Sequence, residues 1–134
     1  MSSARLDKVY LLTKELLSKS KFNPKAIKGT TPEKMSFPCV VVNLISESSK
    51  ALTTGLECVI FNEGFEFDIY ADTKKVGQKI HAGIEIANNI KDDIVEYFVK
   101  TKGMRLISAT PAPNVRNTAY RIVVRVNGSD MIDL

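Results

Sequence analysis

The sequence predicts an α+β sandwich: a mixed, mostly antiparallel sheet of about five strands with two helices on one face, in the order α-β-β-β-α-β-β. Three observations predict it. An apolar stripe at spacings of three and four opens the chain. Runs rich in β-branched and aromatic residues fill its middle and its end. A second, longer helical stripe separates the first three of those runs from the last two. With 134 residues and no internal repeat or low-complexity tract, residues 1–134 read as one domain with a genuine core.

The first stripe is Leu6, Val9, Tyr10, Thr13, Leu16 and Leu17, one face of a helix that Ser2 or Ser3 could cap. It should end before "KFNPK", because Pro24 disfavours helical geometry at Asn23. Residues 24–36 have no clear period and read as a long connection with room for one extended piece. "FPCVVVNLIS", Phe37 to Ser46, is apolar on both faces and reads as a central strand. "ESSKALTTG" follows as a polar loop or a ragged continuation of that strand. "LECVIF" and "FEFDIYA" flank "NEG", which suggests a β-hairpin with Gly64 at positive φ. In the second run Phe65, Phe67, Ile69 and Ala71 share one face, and Glu66, Asp68 and Tyr70 share the other.

Val76, Ile80, Ile84, Ala87, Ile90, Ile94 and Phe98 then recur every three or four residues, widened by Gly83, Ile86, Val95 and Tyr97. Asp72 or Thr73 is the expected N-cap and Gly103 the left-handed C-cap. That gives a rod of about thirty residues, roughly 45 Å long, with a kink possible near Asn88-Asn89. "MRLISAT" and "TAYRIVVRVNG" close the chain as strands around the stiff turn "PAPN". The last alternates Tyr120, Ile122, Val124 and Val126 against Arg121, Val123 and Arg125.

Composition excludes some functions. No apolar run approaches the roughly 20 residues that span a bilayer, and the N-terminus reads as an unprocessed start without a signal-peptide core. Cys39 and Cys58 read as small buried thiols, with a cross-strand disulfide as the alternative; with a single His they make no zinc spacing. The net charge of +4 is uneven. Residues 1–36 carry eight Lys/Arg against three acids, and the remainder carries eleven against twelve. The excess in "KSKFNPKAIKGTTPEK" reads first as a solvated lysine-bearing loop, and second as a surface for an acidic partner or nucleic acid.

No motif specifies chemistry. The junction "FEFDIYADTKKVGQKI" has one glycine where a phosphate loop needs several, and Asp72 would occupy the anion's place. His81 reads as a boundary histidine; catalysis would need Asp68, Cys39, Cys58 or another carboxylate beside it. Asp92, Asp93 and Glu96 read as a solvated acidic face beside Lys91 and Lys100. No catalytic, metal-ligating or cofactor-binding residue is therefore assigned. The residues singled out as candidates for a subunit interface or a lumen are charged ones at strand faces and loops: Lys50, Glu66, Asp68, Arg116, Arg121 and Arg125. Within one chain Arg121 and Arg125 would be solvated or paired with Glu66 or Asp68 across strands; in an oligomer they would sit at subunit interfaces or line a channel.

"FPCVVVNLI", "FEFDIYAD" running into a long amphipathic helix, "MRLISATPAPN", and a last strand with arginines, "AYRIVVRV", together resemble the tail terminator and tail completion proteins of long-tailed bacteriophages, a group that includes head-tail joining and minor capsid proteins. The resemblance covers roughly residues 5–128 and rests on element order and short patterns; the connection "NPKAIKGTTPEKMS" departs from it. It implies a mixed sheet with helices on one side and a homo-oligomeric ring, usually a hexamer, at the head-proximal end of the tail in the virion, assembled in the host cytoplasm. The ring would end tube polymerisation and meet the tail tube protein and the head connector or neck proteins, with DNA passing through its lumen without specific binding. It implies no catalytic residue, cofactor or membrane. The competing expectations are another tail-tube or head-completion component, a nucleic-acid-binding module using lysines of residues 19–34, and a small enzyme built on His81.

Overall fold

The computed structural model describes residues 3–29, 36–51, 59–114, 119–129 and 134. Helix α1 is Ser3–Ser18, followed by the short strand β1, Lys25–Lys28. Strands β2, Cys39–Ala51, and β3, Val59–Ala71, are long, and a small hairpin follows from β4, Lys74–Val76, and β5, Lys79–His81. Helix α2, Gly83–Val95, continues into a π-helical segment, Glu96–Thr101, before β6, Arg105–Pro111, and β7, Tyr120–Ser129. The five-stranded sheet has the order β1-β2-β3-β7-β6. Only β1 and β2 run parallel, and the β4–β5 hairpin stands apart from the sheet. The class is the expected one: α+β, five strands, two helices, and α-β-β-β-α-β-β once the small hairpin is set aside.

Both helices pack on the same face of the sheet. Val9 and Leu17 of α1 and Ile86, Ala87, Ile90 and Ile94 of α2 form one core with Val40, Val42, Phe65, Phe67, Ile69, Ile122, Val124 and Val126. The alternation expected for β3 and β7 is therefore the alternation observed. Thr13 lies in the buried face of α1 and is satisfied there, since its hydroxyl donates to the Val9 carbonyl (2.7 Å). After α1, Asn23 takes a left-handed conformation (φ 50°), which an Asn tolerates. The extended piece in the connection is β1, whose Lys25–Lys28 pair with Cys39–Val42.

Two elements differ from expectation. The hairpin at "NEG" does not form. Val59–Ala71 is one strand, and Gly64 lies inside it, paired with Ser46 on one side and Asn127 on the other. A turn there would forfeit ladder bonds to two neighbouring strands, and that outweighs a local turn preference. Its partner β2 correspondingly runs to Ala51, the continuation rather than the loop. Residues 30–35, 52–58 and 115–118 lie outside the described residues, and with them the remainder of the three polar connections.

The thirty-residue rod also does not form. Residues 74–81 are the β4–β5 hairpin, turning at Gly77 with φ 63°, and α2 begins at Gly83, with Ala82 rather than Asp72 or Thr73 as its N-cap. A spacing of four is two steps of a strand as well as about one turn of a helix, so Val76, Ile80 and Ile84 fit either period. Glycine decides between them: it weakens a helix interior by about 1 kcal/mol but takes φ > 0 freely. Ile84 opens the helix yet is 52% exposed, and Ile80 is more exposed still; the buried row is Ile86, Ile90, Ile94 and Phe98. The helical segment spans residues 83–101, about 28 Å. It is continuous through Asn88-Asn89, and its irregularity is the wider last turn, where the Lys102 N–H donates to the Tyr97 carbonyl (2.9 Å). That turn sets Phe98 in the core with Tyr97 and Val99 beside it. Gly103 (φ 83°) ends it as expected.

Candidate functional site

The face of the sheet away from the helices carries the charged residues singled out above. Glu66, Asp68 and Tyr70 of β3 and Arg121, Val123 and Arg125 of β7 point there, and the register sets Arg125 opposite Glu66 and Arg121 opposite Tyr70, one diagonal step from Asp68. Arg121 grips Asp68 with two bonds, Nε to Oδ1 (2.7 Å) and Nη2 to Oδ2 (2.9 Å), and its Nη1 donates to the Pro113 carbonyl (2.9 Å). The Tyr70 hydroxyl donates to the same carboxylate (2.9 Å), and the guanidinium lies over the Tyr70 ring at 5.5 Å. Asp68 is only 7% exposed. Hydrogen bonding to Asp68 raises the Arg121 pKa above its ordinary value, against the opposing effect of burial, so the guanidinium stays charged. Arg125 reaches Glu66 at 3.3 Å in a half-exposed pair, which solvent screens.

Beside this network Cys39, Val41, Tyr70 and Ala119 form a second apolar cluster with Ile27 and Phe37. Burial, aided by the charge on Asp68, pushes the Cys39 thiol up to about 11. A thiol with that pKa is protonated at neutral pH and is a poor nucleophile. Of the remaining singled-out residues, Lys50 has its backbone in β2 opposite Ile60, while Arg116 lies outside the described residues. Cys58 does too.

His81 is not brought to Cys39 or Asp68. It is 3% exposed on the helix side, edge-on to Phe22 with centroids 4.9 Å apart, whereas Cys39 and Asp68 belong to the opposite face. Its Nδ1 contacts a different carboxylate, Glu85 Oε2, one helical turn on; this hydrogen bond is the main reason the Glu85 pKa is lowered. Asp92 and Glu96 pair with Lys91 and Lys100 (3.2 Å each), and burial beside Asp92 raises the Asp93 pKa. Among the described residues no three His, Cys, Asp or Glu side chains are grouped to hold a metal.

Three features escaped sequence reasoning. Glu63 points to the helix side, in phase with Phe65 and Phe67, and is 2% exposed. Arg5 Nε donates to its Oε1 (2.8 Å), while its Oε2 has no hydrogen-bond partner among the described residues. Treating "NEG" as a turn hid that phase. Second, Tyr10, Lys14, Asn23 and Lys25 line a depression between α1 and β1. Third, the edge strand β6 and the part of β2 beyond its pairing with β1 match. Both β2 and β6 contain Leu-Ile-Ser, and in both the register slips at the isoleucine, between Leu44 and Ser46 and between Leu106 and Ser108. Ile45 and Ile107 are exposed by 45% and 51%. Beside β6 lies a groove of about 260 Å³, floored by Val95, Leu106 and Ala109 and rimmed by Lys91, Asp92 and Glu96. In comparison with known proteins, no family model matches the chain and no curated protein matches it in sequence.

Proposed function

We propose that the chain is a ring-forming structural protein of a phage virion, placed at the head-proximal end of the tail, where it ends tube polymerisation and joins the tail to the head connector. The observation that carries this reading is a sheet whose described helices both lie on one side, and whose outer strand β6 is exposed and bears large apolar side chains. Such an edge needs a partner or a guard, and repeated head-to-tail contact between copies closes into a ring when the rotation permits. The neutralised arginines fit the same role. A lumen traversed by DNA should not hold it, and Arg121 and Arg125 are each matched by a carboxylate.

The test is to add the chain to polymerising tail tube protein and to image the products in negative stain. Expected are shortened tubes, each with a ring-shaped density at one end. Unchanged tube lengths with bare ends would overturn the reading, and long tubes built from the chain alone would make it a tube component instead. The depression with Tyr10, Lys14 and Lys25 favours a second reading, nucleic-acid binding. Its signature is oligonucleotide affinity that falls steeply with salt and is lost in Lys14→Glu/Lys25→Glu.

A further inference from the structure

We propose that the two edges of the sheet pair with each other between copies, with β6 of one chain lying antiparallel along β2 of the next from Asn43 onward. This sharpens the ring proposed above and rests on that reading only for closure, because the pairing itself is a property of the purified chain. β1 covers β2 only from Cys39 to Val42, with Gly29 N–H bonded to the Val42 carbonyl; beyond that point no described strand occupies the outer side of β2. No described strand flanks the outer side of the seven-residue β6 either. Among the described residues, each edge thus offers backbone donors and acceptors that another strand could satisfy.

Three observations choose a second copy as that strand, in this arrangement. The first is direction. β2 and β3, β3 and β7, and β7 and β6 are all antiparallel, so β2 and β6 run oppositely within one chain. A neighbour related by the rotation of a ring keeps its helices on the same side, and its β6 then meets β2 in the antiparallel sense. The second is shape. A bulge bends a strand and deters indiscriminate pairing, but the same Leu-Ile-Ser bulge occurs on both edges, so each bend has a matching one to meet. Ile45 of one copy and Ile107 of the next, each about half exposed, would be covered together.

The third observation is charge. Residues 3–29, which form α1 and β1 beside the β2 edge, hold seven Lys/Arg against Asp7 and Glu15, a balance of +5. Residues 83–111, the helical segment over the β6 groove together with β6, hold Lys91, Lys100, Lys102 and Arg105 against Glu85, Asp92, Asp93 and Glu96, a balance of zero. Pairing β2 with β6 sets the basic segment beside a neutral one that carries four acids, whereas a symmetric β2–β2 contact sets the basic segment against itself.

The experiment is sedimentation and light scattering of the purified chain, its variants Ile45→Lys and Ile107→Lys, and a mixture of the two. Ile80→Lys, on the separate hairpin, is the control, and circular dichroism with thermal melts verifies each fold. The wild-type chain and Ile80→Lys should self-associate, and each edge variant should lose roughly tenfold or more in affinity. The mixture should regain association but stop at two chains, since Ile45→Lys keeps an intact β6 edge and Ile107→Lys an intact β2 edge. Should an edge variant fail to fold, hydrogen exchange on the wild type decides instead: amides of residues 105–110 should slow as concentration rises. Self-association of Ile45→Lys at wild-type strength, a mixture that stays monomeric, or a wild-type monomer up to about 1 mM, the weak limit for a specific contact, would each overturn the pairing. Dimers in the mixture together with uncapped tail tubes would instead leave the pairing standing and remove the function.

Discussion

Arg121 and Arg125 occupy the same strand face two register steps apart, yet burial makes them unequal. Removing Arg121 strands a carboxylate that is almost entirely covered, and Arg121→Ala should cost about 2–4 kcal/mol, the lower part of that range if water reaches Asp68 through the partly open guanidinium site. Arg125→Ala, at a half-exposed pair, should cost about 0.5 kcal/mol or less. Urea denaturation of the two variants measures the difference, and equal losses would sink this account. Arg121→Lys should recover little, because an ammonium cannot repeat the two-bond grip on Asp68 while also reaching Pro113. Cys39 supplies a pH dependence on the same face. Its folded pKa of about 11 stands above the ordinary 9.0, so the folded state favours the protonated thiol. The stabilisation is complete below pH 9 and is lost as pH rises towards 11, about 2–3 kcal/mol in all. Cys39→Val should flatten that part of the alkaline stability curve, measured as denaturation midpoints from pH 8 to 11.

Helix α2 shows at the level of an element why its start was misplaced. Ile84 and Ile90 look equivalent in the apolar row, but one is half exposed and the other fully buried. Ile90→Ala should cost about 2–5 kcal/mol and Ile84→Ala well under 1 kcal/mol, comparable by thermal or urea unfolding. Gly83 marks the true start for a steric reason. A methyl group there would sit 2.6 Å from the Ala71 carbonyl oxygen, backbone against backbone where β3 and α2 meet. Gly83→Ala should therefore destabilise by about 1–3 kcal/mol, the reverse of the usual gain for alanine in a helix. None of this was legible in the spacing, because Val76, Ile80 and Ile84 satisfy both periods and a backbone approach leaves no trace in hydrophobicity. Phe65–Ala71 and Tyr120–Val126 were legible to the residue, since a period of two with one apolar side has a single solution. That phase puts Arg121 and Arg125 on one strand face and Asp68 and Glu66 on another, but which of them pair is set by the β3–β7 register. The bulges at Ile45 and Ile107, the burial of Glu63, and the partner of His81 depend on register and on neighbours distant in sequence, and no local pattern carries them.

The whole molecule is closed by its last strand. β7 enters between β3 and β6, so the sheet is completed only when residues near the C-terminus pair with the middle of the chain, as Ala71 does with Tyr120 and Asn62 with Ser129. Ile122, Val124 and Val126 bring the final apolar row against Phe65, Phe67 and α2. A chain ending at residue 104 keeps α1, α2 and the first three strands of the sheet. It nevertheless leaves β3 as an open edge, and the helix-facing residues that packed on β7 exposed. Burial of those three side chains is worth about 1.5–3 kcal/mol each, comparable with much of the net stability of a domain this size. Residues 1–104 should therefore lack a cooperative urea transition and bind a hydrophobic dye. Adding residues 105–134 as a separate peptide should restore the transition, since β6 and β7 pair with each other and can dock as one hairpin. A fragment 1–104 that unfolds cooperatively near the midpoint of the full chain would show that β7 is an accessory to the core rather than its closing member. The same long-range pairing predicts slow folding, on the millisecond-to-second scale of sheets joined by distant segments. Stopped-flow refolding of Val124→Ala should find most of its loss in the unfolding rate if β7 docks after the β2–β3 ladder has formed.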